Sequence, residues 1–269
     1  MFRLPTVFGL RLFAVLAFVF IYAPIAVMVV FSFNTSAISV WPLEGFTFDW
    51  YVRMAQASDI RAAFVNSMVV AGTSTAVAGV LGTLGAYTAH RFRFVGKHAL
   101  QRVVLMPLVV PGVVTGIALL TMFDRVKLQL SLRTIILGHV TFLIAVFFTM
   151  VFARLQSLGV AIDRAAMDLG ASRLRAFVFA ILPNLKLTLV GAAVIAFTLS
   201  FDEIAVTYFL TGTQNTVPML IYSMLRTGLT PTVNALATFA LLFSLLPIVV
   251  ASVITARLGR DSEVEPWTV

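Results

Sequence analysis

Hydrophobic residues along this chain form long blocks, and polar residues are largely confined to the segments between them. Six blocks reach the roughly 20 residues of helix that cross the hydrocarbon core of a bilayer. They cover approximately residues 12–33, 64–89, 103–123, 132–153, 187–210 and 235–256. The pattern therefore predicts a single all-α transmembrane domain with six membrane helices. We expect the first block to be retained as an anchor, because it is too long for a signal peptide and lacks an A-x-A cleavage site.

Positive charges are distributed unequally between the segments that connect these blocks. Of the 19 Lys and Arg residues, six lie on one predicted side of the membrane and the remaining 13 on the other. Positive residues collect in cytoplasmic segments, so the larger set marks the cytoplasmic face and places both termini there. The connection from Asp124 to Arg133 is the exception, since it carries three basic residues on the outer side.

Composition supports a membrane protein and excludes several other classes. The chain is 60% hydrophobic and 11% charged, with a mean hydropathy of +1.02, whereas a soluble domain needs more polar surface. The net charge of +8 follows from the cytoplasmic basic residues, and no basic stripe with interleaved aromatic residues indicates nucleic-acid binding. The absence of cysteine excludes disulfides and thiol chemistry. His90 and His98 lack metal-ligand spacing, so no metal site is predicted.

The cytoplasmic connection between the fourth and fifth blocks, about residues 156–186, has its own structural pattern. Its residues predict two short helices that meet at a turn. Asp163 and Ser172 are suitable N-cap residues for the two helices. Gly170 can adopt the positive φ that ends the first helix, and Pro183 is expected to mark the end of the second. An elbow of this kind has no role inside the bilayer, so we expect it to hold a soluble partner.

This elbow resembles the EAA loop of binding-protein-dependent ABC importer permeases. The matching residues are Ala165, Ala166, Gly170, Leu182 and Pro183. In that family the loop docks into a groove on the ATPase and transmits its closing motion. The resemblance implies that the coupling residues are Asp163, Arg164, Ala165, Ala166, Asp168, Gly170, Ala171, Ser172 and Pro183.

Two positions of the elbow depart from the family pattern. Arg164 occupies the place usually held by Glu, and Ala180 replaces the usual aliphatic residue. The adjacent Asp163 offers another carboxylate for the charged contact with the ATPase.

Further segments resemble the C-type permease subunits of spermidine/putrescine importers, so that the resemblance extends over nearly the whole chain. These segments are residues 21–24, 31–34, 45–51, 91–97, 139–142, 200–212, 221–224 and 234–238. The resemblance implies a type I ABC importer permease fold and the import of a small organic cation, most simply a polyamine such as putrescine or spermidine.

The same resemblance implies a set of partners and a location. The partners are a second homologous permease subunit, a dimer of ATP-binding cassette ATPases, a periplasmic solute-binding protein and the surrounding membrane lipid. ATP and Mg would bind to the ATPase, so no cofactor is implied on this chain. The location is the bacterial cytoplasmic (inner) membrane.

Two acidic residues, Asp202 and Glu203, lie deep within the fifth block. A carboxylate at the centre of a membrane helix costs roughly 2.5–3.5 kcal/mol, and such residues usually face a cavity or a partner. On a continuous helix Glu203 would share a polar stripe with Ser200, Thr207 and Thr211. We therefore predict a substrate pathway formed by Glu203, with Asp202 second, and by Ser200 and Thr207. The alternative is that both carboxylates bond to neighbouring helices or cap a break in this block.

Small, kinking and polar residues inside the blocks predict how the helices pack. Pro107 and Pro111 should kink the third block. His139 is expected to hydrogen-bond to another helix or to the backbone on the side of the EAA loop, in preference to relaying protons. Small residues at helical spacing predict close packing, namely Ala78, Gly82 and Ala86 on the second block and Gly112 and Gly116 on the third.

Enzymes and other kinds of transporter have sequence features of their own, which can be sought in this chain. The sequence contains neither a G-x-x-x-x-G-K-[ST] phosphate-binding loop nor a nucleophile–base set, so we expect a translocation subunit and not an enzyme. A secondary transporter would favour internal repeats and discontinuous helices near the midplane; no clear internal repeat is visible, and one chain of six spans is small for it. The alternatives that stay open are a permease for another small solute, such as 4-aminobutyrate or an opine, and a membrane scaffold or sensor that transports nothing.

Overall fold

The computed structural model describes residues 4–36, 41–228 and 230–262. Within these ranges the backbone forms helices and one isolated β-bridge between Asn34 and Phe46. The helices are α1 Leu4–Phe31, α2 Asp49–Gln56, α3 Ser58–Arg91, α4 Lys97–Val109, α5 Gly112–Arg125, α6 Leu132–Leu158, α7 Ala161–Asp168, α8 Arg173–Arg175, α9 Leu182–Phe201, α10 Thr207–Leu210, α11 Val217–Thr227 and α12 Pro231–Ser262. A π-helical segment, Ala176–Ile181, joins α8 to α9.

Five stretches of helix in the described residues are long and apolar enough to cross a membrane. They belong to α1, α3, α6, the continuous run from α8 to α9, and α12. A sixth crossing is available if α4 and α5 together form one span. This arrangement agrees with the predicted all-α membrane architecture of six helices.

The predicted third block is interrupted more severely than a proline kink would require. The helix axis turns by 109° between α4 and α5. Val110 lies between the two helices in an extended conformation, because a residue that precedes proline is disfavoured in the helical region. Pro111 then serves as the N-cap of α5. Pro107, in contrast, lies within α4, so only Pro111 separates the two helices.

By contacts the chain divides into two compact units. The first contains the described residues up to Arg61 together with Leu220–Leu242, and the second contains Ala62–Met219 with the described residues from Phe243 onward. In the first unit, an aromatic cluster follows α1. Phe33 stacks on Phe46 with ring centroids 5.0 Å apart, and the indole of Trp50 donates a hydrogen bond of 2.7 Å to the carbonyl of Asn34.

The core of the second unit is built around α6, whose window is the most buried of the apolar helices. Gly82 of α3 lies directly against it, since a Cβ on Gly82 would be 2.6 Å from the Cβ of Phe147. Ala78 and Ala86 on the same face of α3 are fully buried. The predicted ridge of small residues therefore packs α3 against α6.

The elbow between α6 and α9 contains the two predicted short helices, α7 and α8, and two of its predicted termini are found. Gly170 has a φ of +87°, and the Ser172 hydroxyl accepts a hydrogen bond of 3.4 Å from the amide of Arg175. The other two predictions are wrong. Val160 is the N-cap of α7, and Asp163 lies inside its first turn. Pro183 does not end a helix, because it occupies the first turn of α9.

Pro183 is accommodated by the helical segment that precedes it. The π-helical turn Ala176–Ile181 changes the hydrogen-bond register just before the proline, so that α9 begins as a new segment around Pro183. The side-chain amide of Asn184 donates a hydrogen bond of 2.7 Å to the carbonyl of Ala180. Helical structure therefore continues from Arg173 to Phe201.

Candidate substrate pathway and coupling loop

The acidic residues of the fifth block lie at a break between two helices. Helix α9 ends at Phe201, and α10 begins at Thr207. Asp202 is the C-cap of α9, and Glu203 lies in the non-helical connection. The continuous helical stripe predicted from Ser200 to Thr211 is therefore wrong in its geometry, because the chain leaves the helix at Asp202.

Glu203 stabilises the start of the next helical turn. Its Oε1 atom accepts a hydrogen bond of 2.8 Å from the amide of Val206. The same atom lies 3.7 Å from the position that a Cβ on Gly112 would occupy, next to the N-terminus of α5. A negative charge is favourable there, because the first amide groups of a helix have no intrahelical partner. Glu203 is half-buried and retains part of its surface.

Asp202 is the more exposed of the two carboxylates. It hydrogen-bonds to the hydroxyl of Ser244 on α12. Ser244 itself is buried, so one side of the Asp202 carboxylate is fixed by the protein and the other remains accessible. The two acidic residues therefore share the break but contact different helices.

A buried histidine joins the two sides of this break. The imidazole of His139, on α6, lies 2.7 Å from the Ser200 hydroxyl through Nδ1 and 2.8 Å from the Thr207 hydroxyl through Nε2. Ser200 precedes the break and Thr207 follows it. All three side chains are buried. Ser200 and Thr207 thus hold the break in place and do not line an open surface of this chain.

The hydrogen bonds around His139 assign its tautomer. The Thr207 hydroxyl donates to the carbonyl of Glu203 at 3.0 Å, so its oxygen accepts from the ring. Nε2 therefore carries the proton, and Nδ1 accepts from the Ser200 hydroxyl. The hydrogen bonds are therefore donated in one direction, from Ser200 to the imidazole, from the imidazole to Thr207, and from Thr207 to the carbonyl of Glu203.

The two interrupted helices meet each other. A Cβ on Gly116 of α5 would lie 2.7 Å from the ring of Phe209 on α10 and 3.2 Å from the carbonyl of Ala205. The predicted small residues of the third block therefore allow α5 to approach the break in the fifth. Discontinuous helices that meet within the membrane form the substrate sites of many secondary transporters.

Several residues that fix the segment after the break were not predicted. The side-chain amide of Asn66 donates to the carbonyl of Asn215 at 2.9 Å, and the amide of Val217 donates to the Ser67 hydroxyl at 2.8 Å. Thr134 donates to the carbonyl of Leu210 at 2.8 Å. The sequence feature that could have identified them is that each is an isolated polar residue inside an apolar block. In the part of the chain that the structure describes, no group of His, Asp and Glu could hold a metal ion.

The coupling loop presents most of its predicted residues to solvent. Arg164, Ala165, Asp168, Gly170, Ser172 and Pro183 are exposed, and Ala166 and Ala171 are half-buried. Large apolar side chains accompany them, since Leu169 is 90% exposed and Phe179 77%. Asp163 differs, because its side chain is buried and forms an ion pair with Arg91 at the end of α3. The expectation that Asp163 offers a carboxylate to an ATPase at the Arg164 position is therefore wrong.

Comparison with known proteins shows which family has this arrangement. Residues 79–263 match the family described as the inner membrane component of binding-protein-dependent transport systems. The chain belongs to this family. Among its relatives, the putrescine transport system permease protein PotI of Escherichia coli K12 is 36% identical over 235 residues, covering 84% of this chain and 83% of PotI. The spermidine/putrescine transport system permease protein PotC of the same organism is 34% identical over 242 residues, covering 89% and 90%.

Solved structures confirm the fold of this inner membrane component. A chain of a bacterial ABC transporter that imports the acidic polysaccharide alginate superposes with a TM-score of 0.74 at 16% identity, covering 94% of this chain and 95% of that chain. The alginate transporter in complex with its pentasaccharide-bound periplasmic protein gives a TM-score of 0.68 at 17% identity, with 91% of each chain covered. The predicted type I importer permease fold is therefore confirmed.

Proposed function

We propose that this chain is the translocating permease subunit of an ATP-driven importer of polyamines such as putrescine and spermidine. The observation that supports it best is the pair of accessible carboxylates, Asp202 and Glu203, at a break that faces a second broken helix. The relatives named for putrescine and spermidine transport cover most of the chain, which favours an organic cation. A protonated polyamine carries ammonium groups that carboxylates bind with charge-assisted hydrogen bonds.

The two carboxylates are suited to transient binding of a passing cation. Asp202 is exposed, and Glu203 is half-buried with its Oε1 atom bonded to the amide of Val206. An ammonium group would bind to these carboxylates in a region of low dielectric, where an ionic hydrogen bond is stronger than in water. Ser200 and Thr207 act on the pathway by holding the break, through His139, and not by contacting the cation.

Coupling to ATP hydrolysis would use the exposed surface of the cytoplasmic elbow. Leu169, Leu174 and Phe179 project from it and provide an apolar surface for an ATPase groove. ATP and Mg would be bound by a dimer of ATP-binding cassette subunits, and this chain would have no ATPase site of its own. A second permease subunit would complete the pathway, and a periplasmic solute-binding protein would deliver the cation at the inner membrane.

The experiment that tests this function is uptake of labelled solutes by cells with and without the chain. The solutes are putrescine, spermidine, 4-aminobutyrate and an unrelated amino acid. We expect selective loss of polyamine uptake in its absence. Loss of 4-aminobutyrate uptake alone would retain the permease and change its substrate. If the uptake of all four solutes is unchanged, the transport function is contradicted and a scaffold or sensor is favoured.

Variants at the break test the proposed pathway. Glu203→Gln keeps an oxygen that can accept from Val206, so it removes the charge while preserving the cap. Loss of one ionic hydrogen bond is worth about 1.5–3 kcal/mol, so uptake at low substrate should fall roughly 10- to 100-fold for Glu203→Gln or Asp202→Asn. Asp124→Asn, at an exposed acidic residue near the end of α5, is the matched control and should transport normally. Unchanged uptake kinetics in both variants at the break would remove these carboxylates from the pathway.

A further inference from the structure

The last turns of α3 are attached to the coupling loop by a buried ion pair. Arg91 Nε contacts a carboxylate oxygen of Asp163, and the side chain of Asp163 is only 3% exposed. Arg91 is 24% exposed, so its guanidinium reaches the boundary of the protein while the carboxylate does not. A buried carboxylate that loses its counter-ion is strongly unfavourable, so the pair resists separation. Removal of either partner should therefore disturb the contact between α3 and α7 strongly, because the other charge is left uncompensated.

Other residues near the end of α3 contact the loop on both sides of this pair. The imidazole of His90 lies near the backbone of Gly159, where the loop begins. The ring of Tyr87 lies 4.6 Å, between centroids, from the ring of Phe177 in the π-helical segment. Just beyond the helix, the guanidinium of Arg173 lies 5.7 Å from the centre of the Phe92 ring. The end of α3 and the residue that follows it thus contact the loop at positions between Gly159 and Phe177.

The same helix contacts the segment that follows the carboxylate-bearing break. Asn66 and Ser67 hydrogen-bond to the backbone of Asn215 and Val217. From Ser67 to Arg91 an α-helix rises about 36 Å, which exceeds the thickness of the hydrocarbon core. Between these ends the Ser74 hydroxyl donates to the carbonyl of Ile136 on α6 at 3.4 Å. Helix α3 therefore has polar attachments both to the coupling loop and to the segment that follows the break in the chain.

We propose that Arg91 and Asp163 form the joint through which the coupling loop moves α3, and that α3 carries this movement to the segment that follows the break at Asp202 and Glu203. The inference rests on the proposed function of the loop as the docking site of an ATPase. Arg91 and Asp163 are positioning residues, since neither contacts the substrate. Their ion pair is the charged contact between the loop and the helix, and we infer that it makes the two move together.

The test uses the complete importer reconstituted in proteoliposomes, with the partner permease, the ATPase and the binding protein present. ATP hydrolysis and solute uptake are measured in the same vesicles, with the solute that the unaltered complex transports. The variants are Asp163→Asn, Arg91→Gln and the charge exchange Arg91→Asp with Asp163→Arg. Arg93→Gln, at an exposed basic residue two positions away, is the matched control.

Coupling between distant sites typically amounts to a factor of roughly 5–150, so we expect uptake per ATP hydrolysed to fall about tenfold in Asp163→Asn while hydrolysis continues. The charge exchange should recover most of this ratio, and Arg93→Gln should leave it unchanged. Asp163→Asn is the more informative single variant, because the charge it leaves unpaired, on Arg91, is partly exposed, whereas Arg91→Gln leaves a buried carboxylate unpaired.

Two outcomes would overturn the proposal. In the first, Asp163→Asn keeps the unaltered ratio of uptake to hydrolysis. In the second, the variants lower only the amount of assembled complex, and the complexes that do assemble are fully coupled, which would make the pair structural. Neither outcome depends on the identity of the solute. A complex that transports 4-aminobutyrate instead of polyamines would contradict the proposed substrate and still test this joint.

Discussion

At the scale of single residues, His139 has the largest influence on the shape of the break. Its two ring nitrogens connect Ser200, at the end of α9, with Thr207, at the start of α10. Backbone hydrogen bonds are interrupted at a helix break, and the membrane interior supplies no water to replace them. The imidazole and the two hydroxyls provide part of the replacement, and the cap formed by Glu203 provides another part.

We predict that His139→Leu destabilises the assembled permease and slows uptake. The substitution leaves two buried hydroxyls without the ring, and a buried polar group that loses its partner costs about 1–3 kcal/mol. The thermal unfolding midpoint of the purified complex should therefore fall, and His139→Asn, which can still donate and accept, should lower it less. Thr121→Val is the control, because the Thr121 hydroxyl bonds within its own helix at an exposed position. Equal midpoints for His139→Leu and Thr121→Val would contradict this function of the histidine.

The sequence shows which residues have unusual chemistry for a membrane helix more readily than it shows which residues they contact. The acidic pair in the fifth block and the histidine in the fourth were recognisable because ionisable or polar side chains are costly in an apolar helix. Asp163 could not be assigned correctly, since an exposed cap and a buried ion pair use the same residue. Its partner, Arg91, is 72 positions away in the sequence. Only the folded contacts show that this carboxylate faces α3.

At the scale of helices, hydropathy located the membrane segments but not their interruptions. Ile204, Ala205 and Val206 continue the apolar run after Glu203, so the hydrophobic pattern does not change where the helix stops. Pro111 was a visible signal, yet proline alone does not distinguish a kink from the 109° turn that the structure contains. Pro183 led to the opposite error. A helix end was predicted there, but the π-helical turn before it allows helical structure to continue.

We predict that the contact between α3 and α6 does not tolerate a side chain at Gly82. A Cβ there would lie 2.6 Å from the Cβ of Phe147 and 2.8 Å from the carbonyl of Ile144, so one helix must move. Overpacking of this kind costs about 1–3 kcal/mol, and Gly82→Ala should lower the unfolding midpoint of the complex.

Gly72 offers a matched control on the same helix. A Cβ on Gly72 would meet nothing within 4 Å, and alanine is the better helix former by about 1 kcal/mol. Gly72→Ala should therefore leave the midpoint unchanged or raise it slightly. A Gly82→Ala complex as stable as the Gly72→Ala complex would show that the two helices do not pack closely at this position.

At the scale of the whole molecule, the family assignment and the folded structure agree on a multi-pass membrane protein. The match to the transport family covers residues 79–263, and α1 lies before it. No residue in the spanning window of α1 is buried within this chain. An apolar helix without an internal core contact requires lipid or another subunit around it, which is consistent with a permease that functions as part of an assembly.

Orientation is the remaining property of the whole molecule, and it follows from charge. Most basic residues lie on the side of the chain that contains the coupling loop, which should be cytoplasmic. The turn between α5 and α6 opposes this assignment locally, because Arg125, Lys127 and Arg133 surround it on the predicted outer face. Because the rule depends on the whole distribution of charge, we expect this turn to lie outside the cytoplasm despite its three basic residues.

The absence of cysteine from the chain makes this expectation directly testable. Leu128→Cys places a thiol in the turn between α5 and α6, and Val95→Cys places one in the turn between α3 and α4, where both native side chains are exposed. A membrane-impermeant maleimide added to spheroplasts should label Leu128→Cys, and it should label Val95→Cys only after the membrane is permeabilised. The unaltered chain controls for background because it has no thiol. Labelling of Val95→Cys alone in sealed spheroplasts would invert the topology and place the coupling loop outside, where no ATPase could bind to it.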